Sequence, residues 1–355
     1  MPIMTIVVAT YNRPSLLRCT IESIRKQTFQ DWVLLVVGDC CDEQTGQVIE
    51  GFADDRIFYV NLKQRCGEQS GPNTAGMFVA RTKYVAFANH DDIWLPDHLE
   101  RALAVLEAGR AEFYAGAAAL SIQLKDPGTQ EYRFGIGALS PPSRSPEAGF
   151  AKSPAYFEPV SSWVMHSTLL RKVGAWRPAG GLYRTPLEDW ILRAWRADVS
   201  LCFDDVVTVI YCSSGRGGNG EALDYKQGDE ENRYWLDLMT RHNPERLRAH
   251  FANDAKSAGL GKSLFEHTMR NHELFWVFEH MQNGDGARVY KRFGWDGFEA
   301  ACKVLGREPG FRLRQMLKRR TGEDLENHKD WRRASHEVKA ALQSDDRWQK
   351  VFVDD

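Results

Sequence analysis

The feature that most constrains this chain is a change of period, repeated through its first 110 or so residues. Short apolar runs, TIVVA (5–9), WVLLVVGD (32–39), IFYVNL (57–62) and YVAFA (84–88), alternate with segments whose apolar residues recur at helical spacing. In RPSLLRCTIESIRKQ, Leu17, Ile21 and Ile24 fall on one helical face and Pro14 suits a first-turn position. The run at 32–39 is continuously apolar, as a parallel strand covered on both faces must be. PDHLERALAVLEAG closes the unit, with Leu99, Leu103 and Leu106 on one stripe and Gly109 as its stop. This order predicts an α/β fold, a Rossmann-like and mostly parallel sheet flanked by helices.

Sheets of this kind take their ligands beyond the carboxyl ends of the strands. The polar residues that follow each apolar run therefore face one crevice: Thr10 to Arg13, Asp39 to Asp42, and Asn89 to Asp92. The third group, in YVAFANHDDIWLP, carries two adjacent carboxylates out of the core on the end of a strand. Two such acids can hold a cation, or they can simply cap the helix that follows.

Composition excludes several classes. Formal net charge is -2, so no global field draws the chain to nucleic acid or to an anionic surface. No apolar run reaches the ~18 residues of a membrane-spanning helix. The N-terminus, MPIMTIVVATYNRP, has no basic segment before its first strand, so no secretory signal is expected. The 7 cysteines are scattered without C-x-x-C spacing, which reads as reduced thiols in a cytoplasmic protein. Adjacent Cys40 and Cys41 are expected to be loop or packing thiols.

From 111 to about 213 the pattern is mixed. EFYAGAAALSIQL and SLCFDDVVTVIYC read as strands, PLEDWILRAWRAD as a helix, and SPPSRSPEAGFAKSPAYFEP as a long Pro- and Ser-rich loop. SSGRGGNGEA is a glycine-rich stretch, and beyond about 225 the chain reads as helical, charged and rich in Trp and Phe. The expected division is a domain over 1–224, with one half to about 110 and a second to 224, followed by a helical region over 225–355. Its basic patches, KRRTGED and KDWRRASHEVK, read first as solvated helical faces. A homodimer interface, an acceptor-binding platform and a membrane-surface dock are open alternatives for these helices.

Taken in order, TIVVATYNRPSLLRC, the Asp39 that ends the second strand, FANHDDIWLPDHL and LEDWILRAW resemble the family-2 glycosyltransferases of the GT-A fold. The resemblance spans roughly residues 3–213, and it implies that the half to about 110 is nucleotide-binding and the half to 224 takes the acceptor. It implies an inverting, hexosyltransferase-type transfer of a sugar from a nucleotide donor, UDP-sugar favoured, to a saccharide or lipid-linked saccharide. The setting it implies is surface-glycan assembly, in the cytoplasm or at the inner membrane face. It implies Mg²⁺ or Mn²⁺ as cofactor, because charge grows on the departing diphosphate and hard cations take carboxylate and phosphate oxygens.

By the same resemblance Asp91, with Asp92 beside it, is the metal position. Thr10, Tyr11, Asn12 and Arg13 form the base loop, and Asp39 reads the base edge or ribose. A carboxylate only accepts hydrogen bonds, which suits the N3–H of uracil or an N–H edge of guanine. Asn89 departs from the family's first acid and, with His90, is assigned to the nucleotide. Asn73 matches the asparagine of an Arg-Asn pair whose arginine is Pro72 here, and Arg65 and Arg81 are both open as the missing cation. Asp189 takes the base role, with Glu188 holding the acceptor or the loop. Trp163 and His166 are candidates for the sugar pocket and Arg216 for a lid. Two rival readings stay open: a non-catalytic or metal-independent nucleotide- or glycan-binding protein, favoured by Asn89 and Pro72, and a sugar-phosphate nucleotidyltransferase, disfavoured because VATYNRPS lacks glycine.

Overall fold

A computed structural model of the chain describes residues 1–125, 132–140, 159–178, 186–212, 229–258 and 328–352. The first third alternates as the sequence predicts: β1 (Met4–Thr10), α1 (Pro14–Arg25), β2 (Trp32–Gly38), α2 (Glu43–Glu50), β3 (Ile57–Asn61), α3 (Ser70–Val79) and β4 (Tyr84–Asn89). A two-residue strand β5 (Ile93–Trp94) and α4 (His98–Leu106) follow. The order β3-β2-β1-β4 is parallel throughout. β2 and β4 flank β1, so the strand order reverses at β1, and the crevice opens where β1 and β4 end at Thr10 and Asn89.

Period-two alternation distributes these strands between two cores. Met4, Ile6 and Val8 of β1 join Leu34 and Val36 of β2 under Leu17, Ile21, Ile24, Leu99 and Leu103. The opposite face is closed by α3, whose approach is close enough that a Cβ at Gly76 would lie 2.4 Å from a Val7 methyl. Each fully buried aliphatic side chain contributes roughly 1.5–3 kcal/mol, so both faces bind their helices firmly.

Beyond β4 the sheet becomes mixed. β6 (Phe113–Lys125) pairs with β7 (Tyr132–Leu139) and β8 (Trp163–His166) antiparallel and with β9 (Leu201–Tyr211) parallel, while β8 joins β4 antiparallel. β8 lies in SSWVMHSTLLRKVG, a segment without a readable strand period. It is four residues long, preceded by a 3₁₀ turn (Val160–Ser162) and followed by the one-turn α5 (Leu169–Val173). The helix expected from PLEDWILRAWRAD is α6 (Pro186–Arg196). The Pro- and Ser-rich segment lies almost wholly outside the described residues.

The boundary expected at 224/225 is not a boundary between cores. α7 (Glu230–Arg241) and α8 (Pro244–Ala258) bury Trp235, Leu236, Met239, Leu247 and Phe251 against Ile93, Ala117, Ile136 and Ile210. α9 (His328–Gln343) and α10 (Asp346–Val351) return to the first third of the chain, where Ala334, Val338, Leu342 and Trp348 pack on Val33, Leu35, Phe58, Val60 and Ala75. The apolar faces of the described helices beyond residue 225 thus pack on the sheet and on α3. No helix among the described residues is long and apolar enough to cross a membrane.

Candidate active site

Three loops meet at the carboxyl edge of β1, β2 and β4. Asn12 adopts φ +45°, a left-handed conformation that asparagine tolerates, and its Oδ1 accepts the Asp42 N–H at 2.8 Å. The Asp39 N–H donates to the Thr10 carbonyl at 2.8 Å, so the first two loops are tied at their roots.

Asp39 is 5% exposed and belongs to a pocket of backbone donors. Its Oδ1 accepts the Cys66 N–H at 2.5 Å and its Oδ2 the Gly67 N–H at 2.8 Å. Gly67 makes the turn possible at φ +83°. The residue before them, Arg65, lies over the Tyr11 ring at 3.8 Å from its centroid and places Nε 3.9 Å from Asp39. Of the two arginines left open by the sequence, Arg65 is thus beside the base loop. Arg81 instead donates to Gln349 and lies over Phe352, on the C-terminal helices. Asn73 is buried within the first turn of α3, its N–H donating to the Gln69 carbonyl.

The Asn-His-Asp-Asp turn splits its two acids. Asp91 stays partly exposed, at 22%, and accepts from Arg13 Nη1 at 3.0 Å. Asp92 is fully buried. The Ser161 hydroxyl and the Asn89 amide (2.9 Å) donate to its Oδ2, and the Cys212 N–H donates to its Oδ1 at 3.2 Å. Burial first, and then the Asp91 charge, push the Asp92 carboxyl well above the usual range, while those three donors act in the opposite sense. Asp92 therefore holds β4 to β8 and β9 and offers no oxygen to a cation in the crevice; the metal assignment narrows to Asp91. Asn89 is likewise tied into this turn, one of its amide hydrogens donating to Asp92.

His90 Nδ1 lies 3.4 Å from the Tyr11 N–H and 3.1 Å from Thr10 Oγ1. The backbone N–H can only donate, which assigns the ring proton to Nε2. Nε2 faces Asp91 at 3.9 Å. Burial lowers the His90 pKa, so the ring is neutral and serves as a donor beside Asp91. Two side chains unforeseen from the sequence fix this turn further. Thr20 Oγ1 donates to the Asp92 carbonyl at 2.9 Å, and Asn232 Nδ2 donates to the Asp91 carbonyl at 2.6 Å. Both contacts cross more than seventy residues of sequence, which no local pattern reports.

Asp189 stands in the first turn of α6, 13% exposed, and accepts from Arg193 Nε at 2.8 Å and Arg177 Nη1 at 3.4 Å. Arg193 also donates to the Ala175 carbonyl at 2.8 Å. The same turn reaches α3 through Ser70 Oγ, which donates to the Arg177 carbonyl at 3.4 Å, and through the Trp176 N–H to Thr74 Oγ1 at 3.1 Å. Asp189 is thereby tied to the α3 terminus that follows the Asp39-binding turn. The Glu188 side chain and Arg216 lie outside the described residues.

Two candidates are placed elsewhere. Trp163 is fully buried, its ring 5.2 Å from that of Phe113 and 5.5 Å from that of Trp176, so it is a core residue with no face for a sugar. His166 pairs in register with Tyr84, at the amino end of β4, whereas the crevice lies at the carboxyl end.

A hard divalent cation needs as little as one carboxylate from a protein when phosphate and water oxygens supply the rest, and Asp91 is the partly exposed acid of this turn that would fit that part. Among the described residues no three His, Cys, Asp or Glu side chains form a site of their own.

The class the fold defines is an α/β protein with a Rossmann-like sheet, which carries at its switch point a carboxylate in a nest of backbone donors and an Arg-Asp pair. Residues 5–174 match the model of Glycosyl transferase family 2. It is similar to the UDP-Glc:alpha-D-GlcNAc-diphosphoundecaprenol beta-1,3-glucosyltransferase WfgD of Escherichia coli, at 29% identity over 114 residues, 32% of this chain and 45% of that protein. It is also similar to the GalNAc(5)-diNAcBac-PP-undecaprenol beta-1,3-glucosyltransferase of Campylobacter jejuni, at 32% identity over 118 residues, 32% of this chain and 37% of that one. The chain thus spans less than half the length of these curated relatives. Among solved structures, S. aureus TarS 1–349 in complex with UDP-GlcNAc aligns with a TM-score of 0.49 at 14% identity, over 96% of this chain and 91% of that one.

Proposed function

We propose that this chain is an inverting glycosyltransferase that moves a hexose from a nucleotide-sugar, UDP-sugar favoured, to a saccharide or lipid-linked saccharide hydroxyl in surface-glycan assembly. The observation that carries the reading is the flanking of one crevice by two devices within a family-2 domain: Asp39 with the Tyr11–Arg65 stack on one side, and Arg13 with Asp91 on the other. The WfgD relative, named for a UDP-Glc donor and a diphosphoundecaprenol acceptor, favours uracil and a lipid-linked acceptor. Work at the inner membrane face from the cytoplasm is compatible with that acceptor.

In this reading a base stacks against the Tyr11–Arg65 pair and donates its N–H toward Asp39, which keeps a second lone pair on each oxygen. Arg13 supplies positive charge to the diphosphate. Asp91 would hold Mg²⁺ or Mn²⁺, which when bound neutralises charge on the leaving phosphate. The acceptor hydroxyl attacks the anomeric carbon, the C–O bond to the diphosphate breaks, and its electron pair leaves with the phosphate. Asp189 takes the hydroxyl proton, with Arg177 and Arg193 fixing the carboxylate's direction.

The test is nucleotide release across a panel of UDP- and GDP-sugars, followed by Asp189→Asn. That variant is expected to bind UDP as the unchanged protein does and to turn over ~10²–10⁴ more slowly, the usual range for losing a general base. Equal turnover removes Asp189 from the mechanism, and no release from any donor removes the reading. A metal-independent variant of the same chemistry is favoured by two observations, the pairing of Asp91 with Arg13 and the neutral asparagine at position 89. Turnover unaffected by chelation selects it.

A further inference from the structure

α9 lies outside the family-matched segment, yet it grips the turn that builds the Asp39 pocket. Glu337 Oε1 accepts the Lys63 N–H. Arg333 Nη1 donates to the Gln64 carbonyl at 3.0 Å, and its Nη2 lies 3.7 Å from Cys66 Sγ. The two α9 side chains are joined to each other, Arg333 Nη1 to Glu337 Oε2 at 3.7 Å. Cys66 is itself wedged, since a Cβ on Gly71 would stand 2.6 Å from its sulfur. Below these contacts Ala334, Val338 and Leu342 anchor the helix in the β2–β3–α3 core.

The gripped residues do nothing locally that explains the grip. Their backbone N–H and side chains act one or two positions on: Arg65 on Tyr11, and the Cys66 and Gly67 N–H groups on Asp39. Residues 63–67 are largely exposed and lie outside helix and strand, so on their own they have few contacts to select one conformation. We propose that Arg333 and Glu337 are positioning residues for nucleotide recognition, holding residues 63–67 in the one conformation that assembles the Asp39, Arg65 and Tyr11 site. The proposal rests on the reading of that site as the nucleotide pocket. It makes the far end of the chain a determinant of donor affinity without contact with the donor.

Apparent affinity falls in proportion to the fraction of molecules in the competent conformation. A loop released to about one-tenth competence thus binds its nucleotide about tenfold more weakly. The chemical step in the bound complex is untouched, so the loss falls on KM and not on kcat.

The experiment uses the full chain and the variants Glu337→Ala, Glu337→Gln and Leu342→Ala. Three quantities are read: UDP affinity by calorimetry, KM and kcat for donor hydrolysis, and amide exchange at residues 63–67. Glu337→Ala is expected to speed exchange at 63–67, raise the UDP Kd and donor KM about tenfold, and change kcat less than about twofold. Glu337→Gln keeps an oxygen acceptor for the Lys63 N–H and is expected to stay within about twofold of the unchanged protein. Leu342→Ala trims the helix core and should lower Tm without the change in Kd. Unchanged exchange in Glu337→Ala overturns the grip. Faster exchange with unchanged UDP affinity overturns the positioning role. Equal weakening by Leu342→Ala reduces the contact to general stability and overturns it as well. Failure of the nucleotide reading is distinguishable, because the unchanged protein then binds neither UDP nor GDP, and the proposal falls with it whatever the exchange shows.

Discussion

The Arg13 guanidinium sits 3.0 Å from the Asp91 carboxylate, joining the loops that leave two neighbouring parallel strands. Arg13 is 7% exposed at its side chain and Asp91 22%, so the cation is the more buried partner and the carboxylate the one that meets solvent. A charge-assisted hydrogen bond of this kind is worth about 1.5–3 kcal/mol. In the proposed reading an incoming diphosphate would compete with Asp91 for Arg13, and a cation carried with it would compete with Arg13 for Asp91. Asp91→Asn is expected to erase any Mn²⁺-dependent gain in UDP affinity. Arg13→Gln is expected to weaken UDP binding ~10–100-fold with or without metal. Titration calorimetry in Mn²⁺ and in chelator decides both, and an Asp91→Asn protein that keeps its metal response contradicts the assignment.

Arg65 and Tyr11 form a cation–π pair that is half solvent-facing. Such a pair contributes about 0.5–2 kcal/mol, so Arg65→Ala should raise the UDP Kd by roughly 2- to 30-fold. Its side chain is 52% exposed, and Tm should move by about a degree or less. Thermal melts and UDP titration on one sample separate the two effects. A large fall in Tm with unchanged affinity makes Arg65 a structural residue only.

Asp92 gives a pH prediction with a definite sign. Its folded-state pKa is raised, chiefly by burial, above an unfolded value of about 3.9. Above that unfolded value the unfolded chain has released the proton that the folded chain retains, so stability falls as pH rises toward the folded pKa. In Asp92→Asn this component is absent. The Tm of the unchanged protein should therefore decline relative to Asp92→Asn as pH rises above the unfolded value of about 3.9, as followed by calorimetry. Parallel Tm curves contradict the buried-acid reading. Asp92→Ala instead strands the Ser161, Asn89 and Cys212 donors and should destabilise at every pH, by about 1–3 kcal/mol for each donor left unpaired.

Trp348 is 1% exposed and meets Phe58 edge-on at 4.9 Å between ring centroids. Trp348→Ala is expected to lose about 3–5 kcal/mol and to lower the single melting transition, because α10 closes a core that β2 and β3 share. Two separate transitions, only one of them shifted, would instead support an independent C-terminal domain.

The parallel half of the sheet was readable in the sequence because each of its elements is long and carries its own period. TIVVA, WVLLVVGD, IFYVNL and YVAFA all lie within strands or run one to two residues beyond them. The short β8 was not, since four residues give no period to read and its pairing with β4 and β6 is set by distant partners. Trp163 and His166 show the same limit at single residues. An aromatic or a histidine in an apolar stretch has the same local pattern whether it lines a cleft, fills a core or sits at the wrong end of the sheet.

The sequence by itself determined that strands and helices alternate, and hence that Thr10 to Arg13, Asp39 and Asn89 to Asp92 collect at one edge, because parallel connections bring every strand's carboxyl end to the same side. Only the tertiary structure decided which of two adjacent acids faces the crevice. Asp91 and Asp92 are chemically identical, and the difference lies in Ser161, Cys212, Asn89 and Arg13, which arrive from four places in the chain. It likewise chose Arg65 over Arg81 and brought Glu337 to Lys63, since contacts across long sequence separations leave no periodic trace in the order of residues.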